Sequence, residues 1–146
     1  MPFEKMISRG AIQKHRASRD EIADLLKLIE RDLKDAAITE LSEDRRFAIA
    51  YNAALQCGTA IMHSMGYRTK GEAHHYHTFE FLHEALGSKY ADLIDYFDAC
   101  RSKRNRTDYD AAGEISETEV AELVKEANKF YKFSKGWLAK KYPQYM

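Results

Sequence analysis

Arg101, Lys103, Arg104 and Arg106 place four cationic side chains in the stretch CRSKRNRTDYD, residues 100–110, with no acid among them before Asp108. Guanidinium groups bind phosphates and carboxylates through paired, planar hydrogen bonds. The stretch follows LIDYFD, which reads as the buried side of a helix. Steps of three or four place Tyr90, Ile94, Phe97, Arg101, Arg104, Asn105 and Asp108 on one helical face. Lys103 and Arg106 point elsewhere. A guanidinium on the core side needs a partner, because burying a lone charge is costly. In one reading Arg104 pairs with Asp108 and Arg101 pairs with an acid of a neighbouring helix. In the other, the arginines line a wet groove, at the bundle end or at a dimer seam, that receives an anion such as an RNA or nucleotide phosphate.

Six histidines add candidate chemistry: His15, His63, His74, His75, His77 and His83. The spacing places none of them beside Arg104. His74 and His77 are three apart and could share a helix face, but a zinc site needs three or four ligands. A polar helix start, with one histidine packed on a neighbouring loop or helix, is the simpler reading of HHYH. Glu80 and His83 form one Glu-x-x-His unit, where a di-iron bundle needs two. Phosphate-loop and dinucleotide fingerprints and a Gly-x-Ser-x-Gly elbow are missing. No metal site and no cofactor is expected.

The elements that must position these residues read as helices. Two prolines, Pro2 and Pro143, leave residues 3–142 open to helix, and no run alternates long enough for a strand. Ser18 and Glu21 form an expected capping box, followed by the apolar face Ile22, Leu25, Leu26, Ile29 and Leu33. A second helix starts near Ser42 and stops at Gly66, with small residues Ala54, Gly58 and Ala60 that admit a close neighbour. GYRTKGEAHH reads as a loop into a shorter helix over 74–86. Ser88 then caps a fourth helix, and a loop containing Gly113 follows. Ser116 and Glu119 form a second capping box for a last helix that ends before Pro143. In that helix Phe130, Phe133 and Trp137 either widen the buried stripe or offer a surface for self-association or base stacking. The fold class is all-α, an antiparallel bundle of four to five helices over 18–142, with an N-terminal segment 1–17 and a tail 143–146.

The bulk numbers fit one domain. The chain has 146 residues, 23 basic and 23 acidic, so any electrostatic function must come from local patches. Cys57 and Cys100 match no metal or redox pattern and read as free thiols in a reducing compartment. Without a signal-like leader or an apolar run of about 20 residues, a cytoplasmic protein with no membrane contact is expected.

Two segments carry a family resemblance. AIAYNAALQCGTAIMHSMGYRTKGEAHHYHTFEFL is similar to the small-residue helix, glycine, basic loop and histidine of the HEPN superfamily (higher eukaryotes and prokaryotes nucleotide-binding). RSKRNRTDYD resembles that family's Arg-polar-x-x-x-His region, with Arg104 and Asn105 at its start. The resemblance implies a helical bundle, a homodimer, a link to toxin–antitoxin or RNA-stress systems, and a cognate nucleotidyltransferase partner. In active members an arginine and a histidine promote attack of a ribose 2′-OH on the adjacent phosphate without metal. Here Tyr109 stands four residues beyond Asn105, where the histidine is expected. The segment is closer to an Arg…Asp-Tyr version found in some relatives. Tyrosine titrates near 10 and exchanges protons poorly at neutral pH. The expected phosphate or RNA site is then Arg101, Arg104, Asn105 and Asp108: Arg101 and Arg104 hold phosphate, Asn105 orients Arg101 or hydrogen-bonds the ligand, and Asp108 positions Arg104, with Arg104 and Tyr109 the catalytic candidates for any ribonuclease step. The alternative is a non-catalytic interaction or dimerisation module in which the Arg/Asp cluster is structural.

Overall fold

The structure, a computed structural model, describes residues 3–109 and 114–146, and the side chains of 3–105 and 114–146. Among them are six α-helices and one small sheet: α1 (Glu4–Ser8), β1 (Ile12–Lys14), α2 (Arg19–Ala36), α3 (Glu43–Ser64), β2 (Tyr67–Thr69), α4 (His74–Leu86), α5 (Ala91–Tyr109) and α6 (Glu117–Lys141). The fold is the expected all-α bundle.

Helix α3 is its axis. Phe47, Ala50, Tyr51, Ala54, Cys57, Gly58 and Ile61 are buried, and the helix packs on α2, α4, α5 and α6. A helix enclosed this way has apolar residues around much of its circumference, not along one stripe. The expected face of α2 is present, with Ile22, Ile29 and Leu33 buried. On α5, Ile94 and Phe97 are buried, and Phe97 meets Phe130 of α6 with ring centroids 5.3 Å apart. Phe130 is buried and Phe133 packs on Tyr90 at 4.6 Å, so these rings widen the core stripe and are not a stacking platform. Both thiols are free and buried, and burial pushes Cys57 up to about 12.

Three local expectations change. The GYRTKGEAHH stretch is not wholly loop: β2 pairs antiparallel with β1, Gln13 opposite Arg68. Strands of three residues are too short to show alternation, so sequence periodicity could not reveal them. Ser88 does not start α5 directly; a single 3₁₀ turn, Ser88–Tyr90, comes first. The Ser18–Glu21 capping box is half formed. Ser18 Oγ accepts from the Glu21 backbone N–H at 3.1 Å, but the Glu21 carboxylate reaches His15 and His63 instead of turning back to Ser18. The Ser116–Glu119 box is complete. The Gly113 loop lies outside the described residues.

The N-terminal segment is built into the bundle. Phe3, Met6, Ala11 and Ile12 are buried, and Phe3 stacks on Phe81 of α4 at 4.4 Å. No helix among the described residues is long and apolar enough to cross a membrane.

Candidate nucleotide-phosphate cleft

The end of α5 and the start of α4 enclose a cleft of 410 Å³, lined by Arg101 and Asn105 from α5 and by His74, His75 and Tyr76 from α4. Continuation of the buried stripe of α5 into polar residues explains how the arginines arrive there. Past Phe97 the same face meets Tyr76 of α4 and Tyr51 of α3.

Arg101 Nε donates to Asp98 Oδ1 at 2.8 Å, one turn back on its own helix. The expected partner on a neighbouring helix is thus replaced by an i, i+3 pair, which helical geometry favours. The Arg101 guanidinium carbon sits 5.9 Å from the Tyr76 ring centre, and that of Arg104 sits 5.8 Å from the Tyr51 ring centre. Both are cation–π distances. Arg104 donates to Asn105 Oδ1 at a long 3.5 Å. Lys103 turns away to pair with Glu119 of α6. The side chains of Asp108 and Tyr109 lie outside the described residues.

Sequence reasoning did not find Tyr51 and could not place His75. The structure joins them: Tyr51 Oη and His75 Nδ1 are 3.0 Å apart. Tyr51 is fully buried, and burial raises its phenol, with Arg101 and Arg104 opposing. Burial lowers His75 below the usual imidazole range, reinforced by the charges of Arg104, His74 and Arg101. At neutral pH the ring is therefore uncharged and able to take a proton. No signal in a single sequence could bring residue 51 to residue 75, since the link spans two helices.

The start of α4 adds to the cleft's character. Ala73 provides no side-chain cap, and the first turn holds no acid. The N-terminal end of a helix carries partial positive charge and spare N–H donors, which suit an anion. Glu72 on the rim contributes one opposing negative charge.

The three histidines of the HHYH run face different partners. His74 Nδ1 lies 3.5 Å from Thr69 Oγ1, His75 faces Tyr51, and His77 Nδ1 is 3.2 Å from Glu80 Oε1. His83 pairs with Asp95 at 2.9 Å.

A sequence model described as HEPN_SAV_6107-like HEPN matches residues 36–134, more than half of the chain. The chain belongs to the HEPN family. The match runs from the end of α2 to within α6, so this HEPN protein's cleft lies inside it. No curated protein and no solved structure matches the chain.

Proposed function

We propose that this HEPN protein binds an RNA or nucleotide phosphate in the cleft between α4 and α5. The observation that carries the reading is the convergence of Arg101 and Asn105 with His74 and His75 at the acid-free start of α4. Asp98 engages only Nε of Arg101 among the described residues, which leaves the terminal nitrogens of its fork for a phosphate. Arg104 adds charge from behind, against Tyr51. His75 is the proton acceptor that the α5 motif lacks. In the tautomer that donates Nδ1–H to Tyr51, Nε2 takes the proton of a ribose 2′-OH as that oxygen bonds the phosphorus; the bond to the 5′-oxygen breaks, that oxygen leaves with a proton, and the neighbouring arginines hold the phosphate. The membership fits a toxin–antitoxin or RNA-stress role, with a second copy and a nucleotidyltransferase as partners; sedimentation and co-purification test both.

The deciding measurement is anisotropy of a labelled single-stranded RNA over a salt series. Wild-type affinity is expected to fall steeply with salt, by a log–log slope of about 0.7 per phosphate contacted. The double variant Arg101→Ala, Arg104→Ala should lose binding and keep its helicity and melting. Any cleavage should fall in His75→Gln while binding persists. One observation favours the interaction-module alternative: Arg101 already has a carboxylate partner, Asp98, at 2.8 Å. That alternative wins if RNA fails to bind at low salt and the double variant unfolds.

A further inference from the structure

A second cluster lies away from the cleft. His15 Nε2 is 2.8 Å from Glu21 Oε2, and His63 Nδ1 is 3.0 Å from the same oxygen. One ligand atom from each of the three residues can be chosen so that all lie within 4.8 Å of one another. Tetrahedral zinc with bonds of about 2.0–2.1 Å needs ligand atoms about 3.3 Å apart, so small side-chain movements suffice. All three side chains are partly buried, with 18%, 31% and 20% exposure for His15, Glu21 and His63.

Their placement is specific. His15 follows β1 and is held by its backbone N–H, which donates to Gly66 O at 2.8 Å. Glu21 sits in the first turn of α2, and His63 in the last turn of α3. Glu21 is drawn out of its capping box to meet both imidazoles, whereas Glu119, in the same position of α6, closes its box. The carboxylate is thus committed to the histidine pair. Burial would raise the Glu21 carboxyl, but hydrogen bonds and charge from His15 and His63 hold it below its usual range. Burial lowers His63, with His15 and Arg68 adding to the effect and Glu21 opposing it. His63 and Tyr51 are twelve residues apart on α3, about 18 Å along its axis, so the cluster is separate from the cleft.

We propose that His15, Glu21 and His63 bind a divalent zinc-class cation, with the fourth coordination position left to water. Two imidazoles and one carboxylate are a recognised zinc ligand set. The ion would clip the segment after β1 to the start of α2 and the end of α3.

The test uses the full chain, free of any histidine tag, stripped with chelator and titrated with ZnCl2 by calorimetry near neutral pH. One ion per chain is expected, with a rise in melting temperature. Affinity should fall at least about tenfold in His15→Gln and in Glu21→Gln, because even residues behind a metal's own ligands cost that much. His77→Gln should bind as wild type does. His15 precedes α2 in a non-helical segment, so its variant is expected to stay folded, and circular dichroism verifies this. Cobalt substitution supplies a second readout, a visible band that the folded His15→Gln variant lacks. The proposal is overturned if wild type takes up no stoichiometric zinc, if affinity survives in both variants, or if His77→Gln weakens it equally.

Discussion

His75 and Tyr51 show how one contact changes the chemistry of a motif. The α5 segment alone has arginines and a tyrosine, with no group that exchanges protons near pH 7. The fold adds an imidazole from α4, held by a phenol from α3. Tyr51→Phe should cost about 1 kcal/mol through the lost hydrogen bond, read by chemical denaturation. His75 also predicts a pH dependence. Its folded pKa lies below 6.5, so the unfolded chain binds the proton more readily. Its contribution to stability is complete above 6.5 and is lost as pH falls through the lower, folded value. Denaturation midpoints measured from about pH 8 down to about pH 5 should fall less steeply in His75→Gln than in wild type.

At the scale of elements, the approach of α4 to α3 sets the cleft. Gly58 makes it possible: a Cβ there would stand 2.7 Å from Leu82 Cδ1 and 3.3 Å from Thr78 Cγ2. Leu82 and Thr78 are buried and have little room to give. Gly58→Ala gains about 1 kcal/mol in helix propensity, against about 1–3 kcal/mol for overpacking. The expected net effect is destabilisation by up to about 2 kcal/mol, with weaker RNA binding because α4 carries His74 and His75. Denaturation and anisotropy on the same protein check both. The small residues of α3 were legible as a close-approach surface. Their partner was not, because the sequence does not say which helix faces them.

For the whole molecule, the N-terminal segment belongs to the bundle's mechanics. Phe3 and Ile12 are buried, and β1 pairs with β2 directly ahead of α4. Phe3→Ala should cost about 3 kcal/mol by emptying the stack on Phe81, visible as a shift of the urea midpoint. A cut-down chain starting at α2 would lose that support and His15 together.

Composition, the prolines, helical periodicity and the cap signals were enough to read the five helices α2 to α6, though not the five-residue α1, because these are local properties of the chain. They were also enough to project Arg101 and Arg104 onto the core-side face of α5, because a helix repeats regularly. Tertiary structure alone decided what that face meets. It set Tyr51 and His75 at the cleft and drew Glu21 from its cap to His15 and His63. Each of these contacts joins groups by side-chain reach or crosses between elements, and helix spacing carries no information about which elements become neighbours.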